Sequence, residues 1–322
     1  MPTVRLDFFL NSRTRLTEQE RALMTAMLAD LVNMVADEFV STLADTEPAN
    51  DDGGHLLDRL WASGLLDIPH LVALLLRRAE EERIAAGIRA AWPSGKARFL
   101  QSLVSDEDSD VSAAAMALIL ARGRRRDRFD GPRLIFDDIS AEAAVALVTA
   151  IAAAFRADLV ARLGDPEADE RLSGGARALL SRHDEASRLE AKLFDLVHAL
   201  DGTGRLDERL IRSVLEEGDV SLLAEALARR SGIGFDSAWE HLTGGGGRLA
   251  LLLRMAGLTR ELAGEIIASA AGVVGSDAEM EIQAFDGLSD GEVDRSRKWL
   301  RLDPAYRAAI GAMGKDDGER TV

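Results

Sequence analysis

A stripe of apolar residues with helical spacing constrains the fold of this chain more than any other feature. Between residues 17 and 43 the stripe consists of positions that recur every four residues: Leu23, Met27, Leu31, Val35, Phe39 and Leu43. This spacing places the side chains on one face of an α-helix. Thr17 and Glu20 have the spacing of a capping box, which predicts where the helix begins. A helix of this kind must bury its apolar face against other elements.

The composition indicates that those other elements are also helices. The chain is 47% hydrophobic but only 5% aromatic, and Ala and Leu, which favour helices, dominate its apolar residues. Runs of β-branched residues, which favour strands, are scarce. The segment "RFLQSLVSDEDSDVSAAAMALILA", residues 98–121, is typical of two helices joined by an acidic turn, as in a HEAT-type repeat or a generic helical hairpin. We therefore predict an all-α fold, as a HEAT-like or irregular helical-repeat array.

The organisation along the chain is predicted from one break in the helical pattern. Residues 123–138, rich in Arg and containing an Asp-Gly-Pro turn, are interpreted as a linker or long loop between a helical domain at 1–122 and a helical-repeat domain at 139–314. Residues 315–322 are interpreted as a frayed tail. A second long helix is predicted to begin after Ser140, its N-cap.

That second helix repeats the apolar positions of the first at a constant offset of 120 residues, so that Leu31 aligns with Ile151 and Phe39 with Leu159. Any two Ala/Leu-rich amphipathic helices align well at some offset. Two related halves therefore remain an open alternative.

Charge and cysteine content exclude several classes of function. The net charge is −16, which argues against nucleic acid and anionic membranes as the main partner. Cysteine is absent, so the chain forms no disulfide and offers no thiolate for catalysis or metal binding. The N-terminus lacks the pattern of a signal peptide, and the apolar run "LALLLRMAGL" contains Arg254 and is too short to span a bilayer. We expect a soluble cytoplasmic protein without membrane insertion.

Four consecutive glycines precede that apolar run: Gly244, Gly245, Gly246 and Gly247, followed by Arg248. A phosphate-binding loop needs converging backbone amides, usually after a strand, and in the P-loop a Lys. Here the preceding segment "FDSAWEHL" has helical character and no Lys follows. The two interpretations are a flexible turn between helices, which we favour, and a weak anion site at a helix N-terminus.

An arginine cluster stands out in this acidic chain. It comprises Arg122, Arg124, Arg125, Arg126 and Arg128. The cluster is either a solvated loop neutralised by the chain's own carboxylates, such as Asp106, Glu107 and Asp108, which we favour, or a contact for an acidic protein or a phospholipid. Contact with RNA is less favoured, since only Phe129 offers an aromatic ring for stacking on bases.

Catalytic and metal-binding signals are weak. His183 and His198 flank two acids on one predicted helix, but a di-metal bundle needs a second such motif and further carboxylates. The chain has no nucleophile elbow of the G-x-S-x-G type. We therefore predict neither catalytic residues, nor a metal, nor a cofactor.

The C-terminal segment "DRSRKWLRLDPAYRAAI", residues 294–310, is basic and amphipathic. It has two interpretations. One is a docking helix for a partner, and the other, which we favour, is a capping helix that closes the apolar end of the array.

The C-terminal half resembles a family described as domain of unknown function 2336, found mainly in alphaproteobacteria. The resemblance lies in Glu217-Gly218-Asp219, the run 224–232, the glycine turn and the run 251–258. Phe8-Phe9-Leu10 and the helix at 17–43 resemble the family's N-terminal pattern, so the resemblance covers about residues 5–270. It implies a bacterial protein with a helical-repeat fold and no known catalytic residues.

Together these features predict a non-catalytic adaptor or regulatory scaffold that binds another protein. Its acidic surface would attract a basic partner, and the arginine cluster would form a second contact. The alternative is a helical module that binds a small molecule or lipid in a cavity between two halves. The sequence predicts neither the partner's identity nor the oligomeric state.

Overall fold

The computed structural model describes residues 16–43, 53–92, 99–128 and 131–319, and within these ranges the only regular elements are helices. The all-α prediction is confirmed. The α-helices are, in chain order, α1 Glu18–Thr42, α2 Gly53–Ala62, α3 Pro69–Ala91, α4 Phe99–Leu103, α5 Ser109–Arg124, α6 Ala141–Leu163, α7 Asp165–Leu180, α8 Leu189–Gly202, α9 Glu208–Glu216, α10 Val220–Ser231, α11 Phe235–Leu242, α12 Arg248–Met255, α13 Arg260–Ala270, α14 Ala278–Gly287, α15 Asp290–Leu300 and α16 Pro304–Glu319. Two 3₁₀ turns, Phe136–Asp138 and Glu185–Ser187, lie between them.

Local side chains fix where the helices begin. The predicted capping box is confirmed at α1, where the Glu20 amide donates to Thr17 Oγ1 at 3.2 Å and the Thr17 amide donates to Glu20 Oε2 at 2.8 Å. Ser140 caps α6 as predicted, accepting from the Ala143 amide at 3.2 Å. Each cap satisfies backbone amides that have no partner within their own helix.

The chain divides into two compact units that are each discontinuous in sequence. Unit 1 comprises residues 1–82 and 117–192, and unit 2 comprises residues 83–116 and 193–322. The sequence instead predicts two consecutive domains, at 1–122 and 139–314, separated by residues 123–138. The difference arises because α3, α5 and α8 each contribute residues to both units.

The core of unit 1 is built by α1, α2, α6 and α7, which pack on one another. The apolar stripe of α1 is buried except at Leu23, which is half-buried, and its Phe39 ring stacks on Phe155 of α6 with centroids 6.1 Å apart. The helices that share the 120-residue offset are therefore neighbours within one core.

Leu134, Phe136 and Ile139 also belong to this core, although residues 123–138 were predicted to be a linker or long loop. Leu134 and Ile139 are at most 1% exposed, and Phe136 is 7% exposed. The apolar run "LIF" that follows the arginines therefore has a packing role. The turn residues around it made this role hard to predict from the sequence.

Helix α6 is long and apolar enough to cross a membrane by length and composition, with a mean hydropathy of 1.8 over its most apolar 18 residues. This run differs from "LALLLRMAGL", the apolar run judged too short to span a bilayer from the sequence. The buried residues of α6 lie in the core of unit 1, among them Leu147, Val148 and Ile151. The core helix of a soluble protein meets the same criterion, so the run is weak evidence for a membrane span.

Unit 2 contains the helices α9–α16, most of them short. From α9 to α14 neighbouring helices pack on each other, and α12 contacts α10, α11, α13, α14 and α15. The buried residues Leu249, Leu252 and Leu253 place α12 at the centre of this unit.

A buried ion pair joins α3 to the start of α8 within unit 1. Arg78 is 6% exposed and donates to Glu190 at 2.8 Å and to Glu81 at 2.9 Å. Burial acts to raise the pKa of Glu190, but the charges of Arg78 and Arg77 and a backbone hydrogen bond together outweigh it and hold that pKa below the usual 4.5. The ion pair therefore stabilises the fold most at neutral pH.

We expect Glu190→Gln to lower the free energy of unfolding by about 2–3 kcal/mol at pH 7, because it leaves Arg78 buried beside fewer charges. Since the folded-state pKa is lowered, the difference from the wild type is complete above pH 4.5 and shrinks as the pH falls through the folded pKa. Urea denaturation at several pH values measures it. Glu170→Gln, at an exposed position of α7, is the control. A difference independent of pH would contradict the assignment.

Candidate functional site

The glycine turn joins α11 to α12 and has the backbone geometry that requires glycine. Gly246 and Gly247 adopt positive φ angles of 73° and 85°, which other residues rarely adopt. A Cβ atom at Gly244 would lie 2.5 Å from the Glu240 carbonyl oxygen. Gly247 is the N-cap of α12 and carries no side chain that accepts from the helix amides. The turn therefore leaves the first amides of α12 in need of an acceptor.

Glu281 of α14 supplies that acceptor. Its carboxylate accepts from the Gly247 amide at 2.9 Å, from the Ala250 amide at 3.0 Å and from the Ser276 hydroxyl at 2.8 Å. The Glu281 residue is completely buried. The N-terminus of α12 thus binds an anion, as helix N-termini do, and that anion is a side chain of the same chain.

This arrangement combines the two interpretations of the glycines, an interhelical turn and an anion site. Gly244 to Gly247 form an interhelical turn, and the two amides a phosphate would need already donate to a carboxylate. An external anion would have to displace a buried, hydrogen-bonded group. The site has a structural role: it fastens α14 to the start of α12.

Glu281→Gln tests this role. We expect a loss of about 2–4 kcal/mol in the free energy of unfolding, because the amide group offers one acceptor oxygen in place of two and leaves a buried N–H unpaired. Glu279→Gln is the matched control, since Glu279 is exposed on the same helix. Chemical denaturation of both variants measures the difference. Equal stabilities would show that the Glu281 carboxylate does not fasten the turn.

The arginine cluster does not form one surface. Arg122 and Arg124 lie in the last turn of α5, half-buried and exposed respectively. Arg126 and Arg128 are exposed, and Arg126 lies 3.4 Å from Glu82. Arg125, in contrast, is buried with 6% exposure.

Arg125 is held by internal acceptors at all three nitrogens of its guanidinium. Its Nε and Nη2 donate to the Asp138 carboxylate at 2.8 and 2.6 Å, and its guanidinium also donates to the carbonyls of Ala121 at 2.7 Å and Ser187 at 2.9 Å. Arg125 is thereby withdrawn from any role in binding a partner. It ties the end of α5 to the two 3₁₀ turns.

The carboxylates proposed to neutralise the cluster have other partners. Asp106 forms an ion pair with Arg205 at 2.6 Å, and this hydrogen-bonded partner lowers the pKa of Asp106. Asp108 accepts from the amides of Asp110 and Val111, both at 3.0 Å, and so caps α5. Within the cluster, Arg125 instead pairs with Asp138 and Arg126 with Glu82.

Two neighbouring arginines should respond differently to substitution. We expect Arg125→Ala to lower the free energy of unfolding by about 3–5 kcal/mol, because it leaves the buried Asp138 carboxylate unpaired. Arg124→Ala, at an exposed position, should change it by less than about 0.5 kcal/mol. Thermal denaturation of the two variants distinguishes them. The assignment fails if both variants are equally stable.

The histidines have local partners. The His183 Nε2 atom lies 3.1 Å from the Ile139 carbonyl oxygen, and its ring packs edge-on against Phe136. The His198 ring stacks on Phe194. Burial lowers the pKa of His241, whose Nδ1 lies 2.8 Å from the Ser237 carbonyl oxygen. In the part of the chain that the structure describes, no three His, Asp or Glu side chains are grouped as metal ligands.

Helix α15 is fastened to unit 2 by arginines that bond to the C-terminal ends of other helices. Arg297 donates to the carbonyls of Ser231 at 3.2 Å and Met255 at 3.0 Å, and Arg301 donates to the carbonyl of Gly232 at 2.8 Å. Cations at helix C-termini satisfy free carbonyls and interact well with the helix dipole. This bonding fixes α15 against the C-terminal ends of α10 and α12.

Helix α16 differs, because it is exposed along most of its described length. Of residues 304–313 all except Arg307 are exposed, and Arg307 donates to Ser237 Oγ at 2.9 Å. Five large apolar side chains at the end of α15 and along α16 form what we call the apolar seam: Trp299, Leu302, Tyr306, Ile310 and Met313, which are 38–73% exposed.

The sequence predicted one role, docking or capping, for the basic C-terminal segment, whereas the structure divides that segment between α15 and α16. The roles of Glu281 and Asp138 were not predicted. The only local signal for Glu281 is its position four residues before the buried Phe285 on α14, which places the two side chains on one face of that helix.

The chain matches a known protein family. A family described as "Uncharacterised protein conserved in bacteria (DUF2336)" matches residues 88–288, which end just before α15. The match excludes the N-terminal residues 5–87 that the resemblance included. Phe8-Phe9-Leu10 also lies outside the described residues. No curated protein and no solved structure shows significant similarity to the chain.

Proposed function

The chain belongs to the bacterial family DUF2336, and on that premise we propose that it is a non-catalytic adaptor or regulatory scaffold that binds other proteins. We further propose that its helices form an irregular helical-repeat array. The packing of each helix from α9 to α14 on its neighbours supports this proposal.

The observation that carries the proposal is the apolar seam. Tyr306, Ile310 and Met313 are separated by four and three residues, so they fall within about 60° of one another around α16. Met313 is 73% exposed and Tyr306 is 58% exposed. Large apolar side chains that are grouped and exposed mark interaction sites, whereas single exposed ones do not.

The narrowness of the seam favours a protein partner over a membrane. A helix that lies in a membrane interface presents a broad apolar face, while a helix that packs on another helix needs only a seam of residues at spacings of three and four. The small residues Ala305, Ala309 and Ala312 on α16 leave room for a second helix to approach. The net charge of −16 opposes attraction to an anionic bilayer.

The seam lies beyond the segment shared with the family, since the match ends at residue 288. The shared segment includes the central helix α12 and the glycine turn, both of which have packing roles. In this proposal residues 88–288 form the framework, and α15 and α16 carry the binding surface of this protein.

The proposal predicts a partner whose binding depends on the seam. A photo-crosslinking amino acid at position 309, beside the seam, should capture a protein in cells. That protein, once identified and purified, should bind the wild type and bind the triple variant Tyr306→Ala, Ile310→Ala, Met313→Ala at least tenfold more weakly, because aromatic and aliphatic anchors dominate interface energetics. Isothermal titration calorimetry measures the affinities.

The matched control removes three exposed apolar side chains elsewhere: Leu65→Ala, Val145→Ala and Met280→Ala. It should bind as the wild type does. Circular dichroism checks that both triple variants are folded. A captured protein that binds the seam variant with unchanged affinity would contradict the proposal.

A further inference from the structure

We propose that the C-terminal ends of α10 and α12 together form a binding site for an arginine-bearing helix of a partner protein, and that α15 occupies this site until the partner displaces it. We call it the carbonyl site, and it consists of the backbone carbonyls of Ser231, Gly232 and Met255. The inference goes beyond the proposed function, because it concerns the inner face of α15 and does not depend on the apolar seam.

The carbonyl site lies where two helices end side by side. Both α10 and α12 end in a glycine turn, and Gly232 and Gly257 have positive φ angles of 69° and 66°. Carbonyls in the last turn of a helix have no partner inside that helix. Those of Ser231 and Met255, one from each helix, accept from the Arg297 guanidinium at 3.2 and 3.0 Å. The negative ends of two helix dipoles therefore meet at one cation.

The carbonyls of this site all belong to the segment shared with the family. Arg230 of α10 donates to the carbonyls of Ala256 at 2.9 Å and Leu206 at 2.8 Å, so it holds the ends of α10 and α12 together without any contribution from α15. Both helices lie within residues 88–288, whereas α15 lies beyond them. The shared segment thus forms the site, and a separate segment supplies what binds there. A site held in place before binding loses less conformational entropy on association.

The inner face of α15 shows which ligand the carbonyl site accepts. Val293, Arg297 and Leu300 have the spacing of one helix face, and Arg301 follows on the same face. Arg301 donates to the Gly232 carbonyl at 2.8 Å, and a Cβ atom at Gly232 would overlap with its guanidinium. A guanidinium carries five N–H donors in a fixed fork, so it bonds to several carbonyls at once. The ligand is therefore a helix with two arginines four residues apart and apolar residues beside them.

Helix α15 is attached in a way that permits exchange. Of its eleven residues only Val293 and Leu300 are buried. The Arg297 side chain is 26% exposed and Arg301 is exposed, so water reaches both guanidiniums. Hydrogen bonds that water replaces add little net stability, and elements with few buried apolar contacts open at low free energy. We therefore expect α15 to leave the site without unfolding of the core around α12.

Charge selects a basic helix over an acidic or neutral one. Residues 295–301 carry four cations and no carboxylate, in a chain whose net charge is −16. A partner helix of the same charge is attracted to the acidic chain. A helix without cations would cover the three carbonyls and leave them without donors, which opposes its binding.

A fluorescein-labelled peptide of residues 289–302 tests the inference by standing in for the partner helix. It should bind the full-chain variant Arg297→Gln, Arg301→Gln at least tenfold more tightly than the wild type. The reason is that α15 of this variant no longer competes well for the site, so the site is empty in a larger fraction of the molecules. Fluorescence anisotropy measures both affinities.

The matched control is the variant Arg295→Gln, Lys298→Gln, which removes two charges from exposed positions of the same helix. It should bind the peptide as weakly as the wild type does. Circular dichroism checks that both double variants are folded. Equal affinity of the two double variants for the peptide overturns the inference, as does a folded Arg297→Gln, Arg301→Gln variant that binds no peptide up to about 100 µM.

Displacement of α15 is measured on the wild type itself, without any substitution. In a ¹⁵N-labelled full chain, about 1 mM of the unlabelled peptide should speed amide hydrogen exchange across α15 at least tenfold, because a displaced helix loses its protection. Exchange across α13 should not change. Mass spectrometry separates fragments of the chain from the peptide by their isotope content. Exchange across α15 that is the same with and without the peptide contradicts displacement.

Failure of this inference is distinguishable from failure of the proposed function. The variant Tyr306→Ala, Ile310→Ala, Met313→Ala keeps the carbonyl site and both arginines, so it should bind the peptide as the wild type does. A captured partner that needs the seam, together with a peptide that does not displace α15, removes only this inference. A peptide that displaces α15, without any partner that needs the seam, removes only the proposed role of the seam.

Discussion

The need to satisfy the backbone groups at helix ends governs this structure. An all-helical chain built from short helices has many ends, and each end leaves about four amides or four carbonyls without a partner inside the helix. Where these groups are buried, leaving them unpaired costs on the order of 1–3 kcal/mol each. Many charged side chains of the chain bond to these backbone groups. The surface that remains for function is the part that they do not occupy.

The two motifs that most resembled ligand sites belong to this internal bonding. The glycine turn presents amides that bind an anion, and the anion is Glu281. One guanidinium of the arginine cluster, that of Arg125, binds a carboxylate, and that carboxylate is Asp138. Arg297 and Arg301 perform the complementary task at helix C-termini. The same physical chemistry that recognises a phosphate or an acidic ligand here joins helix to helix.

The sequence predicted those features that depend on neighbours within a few residues. The caps at Thr17 and Ser140 and the buried stripe of α1 follow from spacing alone, and the structure confirms them. Glu281 lies 34 residues from Gly247, and a chain with 55 acids offers too many candidates for one buried pairing to be recognised from spacing. The division into two units that alternate along the sequence could not be predicted for a related reason. A helical pattern shows which face of a helix is buried, but not which distant helix covers that face.

Glu281, Asp138 and the bonded arginines are occupied inside the fold, so they are not available to bind a partner. What remains is an acidic exterior and the exposed apolar seam of α15 and α16, beyond the family's shared segment. On this account function lies in contacts between surfaces, while the glycines and Arg125 maintain the framework.

The most direct test of this account is amide hydrogen exchange at Gly247 and Ala250, resolved by NMR with and without inorganic phosphate. If Glu281 holds both amides, they exchange slowly, as slowly as amides inside α12 such as that of Leu252, and phosphate does not change their rates. Fast exchange that slows in a saturable manner as phosphate is added would show that the turn is an open anion site, and would contradict the central claim.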